Sequence, residues 1–159
     1  TFIYTLASTV GLLLTGIAFH RLWESLLIIC IFYLNQTVGG GFHASTHMSC
    51  FSIMIFGLVV CLFLYSIPIS PWVIYLLLAI SYITLYGIPL VLHSNKDYLE
   101  DQRLVLKKRS RIITTIQILF IASLLVLRYS GLLFVCSLGA SASAVSRVVG
   151  NVMRGRYRG

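Results

Sequence analysis

The chain has 159 residues, of which 58% are hydrophobic and only 10% charged, with a mean hydropathy of +0.95. A water-soluble domain carries about 25% charged residues, so a soluble globular fold is excluded and a polytopic membrane protein remains. The net charge of +8 sits on residues that flank apolar runs, not on one polar face, which argues against nucleic acid as a partner and makes charge a report on membrane orientation.

A membrane-crossing helix needs about 20 mostly apolar residues. Read on that basis, residues 1–159 form a single integral membrane domain, an all-α helical bundle with about six transmembrane helices. The first run is Phe2–Phe19, ended by His20-Arg21. It starts at once after Thr1, not after a Met, which implies that a native N-terminal segment precedes it; no cleavable signal peptide is visible. The second run, Leu22–Asn35, is short unless it extends into the glycines that follow. A third starts near Ala44 and reaches Ile67, where Pro68 and Pro71 mark a turn. The fourth is Trp72–His93, followed by a polar loop, Ser94–Arg111, that holds Lys96, Arg103, Lys107, Lys108, Arg109 and Arg111. Ile112–Leu127 and Leu132–Val149 complete the set, and Asn151–Gly159 is a basic tail. Gly57, Gly87, Gly139 and Ala140 are expected to let helices approach closely.

Basic residues favour the cytoplasmic side. The Ser94–Arg111 loop and the tail, with Arg154, Arg156 and Arg158, are therefore expected in the cytoplasm. Opposite them, Arg128-Tyr129-Ser130-Gly131 has one basic residue and Ile67–Pro71 none; Arg21 is a mild exception. Counting spans backward places Gly39–Cys50 at the cytoplasmic face as well. The charged loop suits anionic lipid and also an acidic peptide.

Gly39–Cys50 concentrates the chemistry: three glycines, His43, His47 and Cys50 within twelve residues. Polar groups at membrane depth are rare and usually functional. The other cysteines, Cys30, Cys61 and Cys136, lie in apolar runs, where a thiol is a small packing group, and no disulfide framework is suggested. His47 is three residues before Cys50, a spacing that puts Cβ atoms about 5–6 Å apart on one helix face. His43 is seven residues before it, two turns away, a rise of about 10.5 Å on a straight helix. Spacing alone favours His47 as the base. His43 can reach Cys50 only if the chain bends, which the glycines permit. His43, His47 and Cys50 also have spacings that zinc could use, but no Asp or Glu is near in sequence to serve as a base.

Gly40-Gly41-Phe42-His43-Ala44, with Cys50 seven residues past the histidine, resembles the active-site motif of the AgrB family. Those are membrane-embedded cysteine peptidases that process quorum-sensing peptide precursors. Pro89–Lys96 followed by Lys107-Lys108-Arg109-Ser110-Arg111 looks like the family's His-Pro-Asn-Lys-Pro loop and basic run. The resemblance covers almost the whole chain and implies that His43 and Cys50 are the catalytic pair, with His47 uninvolved. It reverses the preference that spacing gives. Gln36 stands where the family usually has a basic residue, Ser45 where a lysine is often found, and Ser94 and Asp97 replace the loop prolines.

The resemblance implies an endopeptidase of the bacterial cell membrane, multi-pass, with its active site near the cytoplasmic face. It would cleave off the C-terminal part of an amphipathic propeptide with an acidic C-terminal region. A Cys50 thioester would follow, and a thiolactone or lactone ring would form from it. Gln36, Gly40, Gly41, Lys96, Lys107, Lys108 and Arg109 are the expected substrate contacts. Asn35, Gln36 and Ser49 are candidates to orient His43. Backbone amides near Ala44–Thr46 or Ser49-Cys50 are candidate oxyanion donors. No metal or other cofactor is expected, and a homodimer is. A transporter or exporter subunit without peptidase activity is the alternative, although no inverted repeat is visible.

Overall fold

In the computed structural model, which describes residues 2–42, 46–89 and 100–156, six α-helices follow one another. They are α1 (Phe2–Ala18), α2 (Leu22–Gly39), α3 (His47–Tyr65), α4 (Pro71–Gly87), α5 (Glu100–Val126) and α6 (Ser130–Arg156). The fold is all-α, as expected. α2, α3, α5 and α6 are long and apolar enough to cross a membrane, while α1 and α4 are shorter apolar helices. Phe56, Trp72, Ile83 and Leu119 stand exposed on the outside of the bundle, an arrangement that water would penalise and lipid would not.

Helix boundaries differ from the sequence expectation for local reasons. α2 continues past Asn35 and stops only where the glycines begin. α4 starts with Pro71, whose fixed φ suits a first turn. It ends at Gly87, not near His93, because Pro89 pushes Ile88 into an extended conformation, φ −78° and ψ 135°. α5 starts at Glu100, so the Arg103–Arg111 stretch expected as loop is helix. That stretch has no Gly or Pro and is rich in straight-chain helix formers. Glu100 and Asp101 also place negative charge at the positive end of the helix. α6 likewise continues through Arg156 into the expected tail.

α6 is the hub, with α2 and α4 as its main neighbours. Every residue from Leu133 to Ala140 is buried. Small side chains make this possible. A Cβ on Gly139 would lie 3.2 Å from Ile31 Cβ and 3.3 Å from the Ile28 carbonyl oxygen. Ser81 Oγ and Ser141 Oγ meet at 2.9 Å between α4 and α6. Gly57 and Gly87, by contrast, have no atom of the described residues within 4 Å of such a Cβ, so among those residues they do not mediate the close contacts expected of them. Midway along the bundle, Asn35 Nδ2 donates to Gln117 Oε1 at 3.2 Å, and Tyr82 donates to the same oxygen at 3.3 Å. That network joins α2, α4 and α5.

The bundle has two chemically different ends. At one, Arg21 lies 5.1 Å from the Tyr65 ring centre and pairs with Glu24 at 3.1 Å, near the α5–α6 turn. At the other, the C-terminal ends of α2, α4 and α6 converge with the basic start of α5. Asn151 Nδ2 donates to the Pro89 carbonyl there, and Arg111 lies 5.8 Å from the Tyr86 ring centre. The glycine segment is at this second end.

Candidate active site

Each of the three glycines meets a different demand. Gly39 is the last residue of α2, and the Arg147 guanidinium from α6 lies where its Cβ would be. Gly40 has φ 63° and ψ 179°, a combination open essentially to glycine alone. Its N–H still donates to the Gln36 carbonyl at 3.0 Å, so the helix ends cleanly before the chain turns away. Gly41 leaves room for the Gln36 amide and for Ser146 Oγ, which would be 2.6 Å from a Cβ. Phe42 is then fixed from α6: its N–H donates to Ser146 O at 3.0 Å and approaches Ser146 Oγ at 3.1 Å. Gln36 Nε2 donates to the same hydroxyl at 2.6 Å.

His43, Ala44 and Ser45 lie outside the described residues. The chain resumes at Thr46, the N-cap of α3, in an extended conformation. The Thr46 hydroxyl oxygen accepts from Ser49 N at 3.2 Å and donates to Ser49 Oγ at 2.8 Å. Its carbonyl accepts from Cys50 N at 3.1 Å. Helical geometry is therefore interrupted between Gly39 and His47, and Cys50 sits half-buried in the first turn of a new helix. His47 begins that helix; its side chain lies outside the described residues.

These bonds bear on the expected oxyanion donors and on the side chains expected near His43. The Ser49 and Cys50 amides are engaged by Thr46, so they are not free to hold an oxyanion. Helix geometry instead leaves the His47 and Met48 amides without intrahelical acceptors. Asn35 is buried in the network with Gln117, Gln36 is held by Ser146, and Ser49 is held by Thr46. Gln36 Oε1 nevertheless has no hydrogen-bond partner among the described residues, so of the three it keeps a buried acceptor to spare.

Lys107 and Lys108 are exposed on α5. With Arg111, Leu104, Ile112 and Ile116 they line an open groove of about 590 Å³. Arg109 is exposed outside that groove, and Lys96 lies outside the described residues.

Residues 1–146 match the family model of accessory gene regulator B, AgrB. The chain belongs to the AgrB family. No curated protein and no solved structure matches it. Membership places this AgrB protein in the membrane and in autoinducer processing for accessory gene regulation.

Three residues near the AgrB motif were not singled out from sequence. Ser146 and Arg147 touch the glycine segment from α6. Tyr33 of α2 is hydrogen-bonded to the Thr9 side chain and lies near Cys50. Arg147 had a signal: it is the only charged residue within the apolar run Leu132–Val149. Ser146 and Tyr33 had none, because serine is common on tightly packed helices and tyrosine is common in apolar spans.

Proposed function

We propose that this AgrB family member is a cysteine endopeptidase that cleaves a quorum-sensing propeptide and cyclises the part it keeps. The observation that carries the reading is the placement of Cys50. It stands in the first turn of a capped helix, just past a glycine break whose next residue but one is His43. A helix N-terminus favours negative charge, which suits a thiolate and the oxyanion it creates. Family membership supports the precursor as substrate.

His43 takes the Cys50 proton, and the thiolate attacks a peptide carbonyl. The His47 and Met48 amides are positioned to receive the resulting oxyanion. The C–N bond then breaks, and His43 returns the proton to the departing amine. The C-terminal part leaves and the N-terminal part remains as a Cys50 thioester. A Cys or Ser side chain of the peptide attacks that thioester, closes the ring and releases the Cys50 thiol. A thioester exchanged for a thiolactone is nearly neutral in energy, so no nucleotide is needed.

The groove of Lys107, Lys108 and Arg111 beside Leu104, Ile112 and Ile116 suits an amphipathic peptide with an acidic end. A homodimer, implied by the family resemblance, belongs to the same proposal. Incubation with the propeptide encoded beside the gene, followed by mass measurement, tests it. Cyclisation gives a product one water lighter than the linear acid. Cys50→Ala and His43→Ala should each abolish cleavage, and His47→Ala should leave it largely intact. Cleavage by Cys50→Ala would sink the mechanism, and a dead His47→Ala beside an active His43→Ala would reassign the base.

A further inference from the structure

We infer that Ser146 and Arg147, neighbours on α6, are positioning residues for the reaction. They hold the three-glycine segment on the path that carries His43 toward Cys50. The inference rests on the His43–Cys50 reading above.

Phe42 immediately precedes His43, and its only described backbone bond is to Ser146. The Ser146 hydroxyl also receives Gln36 Nε2, so one side chain touches the segment both before and after the glycines. Removing that hydroxyl frees Gln36 Nε2 and leaves Phe42 N–H with the Ser146 carbonyl alone, so the two ends of a flexible stretch lose the group they share. Glycine gives a chain many paths. Something outside the segment must select one, and Ser146 is the group in place to do so.

Arg147 acts from the adjacent position. It is 1% exposed, and no carboxylate among the described residues pairs with it. Its guanidinium fills the space above Gly39 while Nη1 donates to the Leu85 carbonyl and Nη2 to Ser110 Oγ at 3.3 Å. One side chain thus ties the end of α2 to α4 and α5. Lysine could not do this, because it lacks a planar fork with separated donors. A buried cation is costly to keep away from water. Simple packing does not call for it, since α6 already buries an uninterrupted apolar face from Leu133 to Val135 and beyond. What Arg147 adds is local: its guanidinium packs on Gly39, the last residue of α2, where the glycines begin.

Peptide-resolved alkylation of the full chain by iodoacetamide tests this without a substrate. The variants are His43→Ala, Ser146→Ala, Ser146→Thr and Arg147→Gln. Near neutral pH, His43→Ala should slow Cys50 alkylation on the order of 10-fold or more, as loss of a general base does. Ser146→Ala and Arg147→Gln should show most of that loss, and Ser146→Thr should restore the rate. At high pH, where thiols ionise unaided, all should converge on the parent rate. Buried Cys61 and Cys136 should stay protected throughout, which reports an intact fold in the same sample. If Arg147→Gln exposes them, the Ser146→Ala and Ser146→Thr pair decides. A slow His43→Ala beside a Ser146→Ala at the parent rate overturns the positioning role alone. A His43→Ala at the parent rate overturns the catalytic pair and this inference with it.

Discussion

Thr46 does two jobs for Cys50. Its hydroxyl satisfies the Ser49 amide, and its carbonyl accepts the Cys50 amide, so a single residue sets both the start of α3 and the height of the thiol on it. Loss of an N-cap hydroxyl costs about 1 kcal/mol. We therefore expect Thr46→Ala to lower the thermal midpoint modestly and to reduce propeptide cleavage, because a frayed first turn moves Cys50. Thr46→Ser should recover both. An unchanged cleavage rate with a lowered midpoint would show that the first turn is not what places the thiol. The cap was not read from sequence, since Ser45, Thr46 and Ser49 are equally plausible cap residues there. The glycines were legible only as a bend. That Gly40 needs its dihedrals, while Gly39 and Gly41 need their missing Cβ atoms, depends on α6, more than a hundred residues away.

At the scale of helices, apolar run length was a good guide to number and a poor guide to ends. Hydropathy registers where lipid begins, whereas a helix ends where backbone geometry fails. Pro89 therefore shortened α4, and the absence of any breaker let α5 run back through its charges to Glu100. Contact-making glycines were no easier to pick out. Gly57 and Gly139 look alike in sequence, but only Gly139 lies between packed helices. A bulky residue there must push α6 from Ile28 and Ile31 of α2. Overpacking of this kind costs about 1–3 kcal/mol. Gly139→Val should lower the thermal midpoint in detergent clearly, while Gly57→Ala should leave it unchanged or raise it slightly through improved helix propensity. Equal effects at the two positions would contradict the α2–α6 packing described.

Across the whole molecule, charge and site geometry fall at the same end. Arg103, Lys107, Lys108, Arg109 and Arg111 begin α5 beside the Pro89–Asn151 contact, close to where Ser146 meets Phe42. The opposite end offers Arg21, already paired with Glu24, and Arg128. Basic residues next to a span are worth about 1 kcal/mol each against an anionic cytoplasmic leaflet. Five on one helix outweigh the two on the far side, so the glycine segment should face the cytoplasm, where the proposed propeptide substrate would be made. The expectation can be read in intact cells with a membrane-impermeant maleimide and peptide-level detection. Ser70→Cys, exposed in the α3–α4 turn, should label from outside. Arg109→Cys, exposed on α5, should label only after the membrane is opened. The reverse pattern would put Cys50 at the outer face, and a cytoplasmic precursor could then meet it only after export. Labelling of both from outside would mean that α4 does not cross the bilayer. At 17 residues, α4 spans about 26 Å at 1.5 Å per residue, somewhat less than a hydrocarbon core of about 30 Å. It can cross only if the bilayer thins or if its flanks, Trp72 at one end and Tyr86 at the other, sit in the interface.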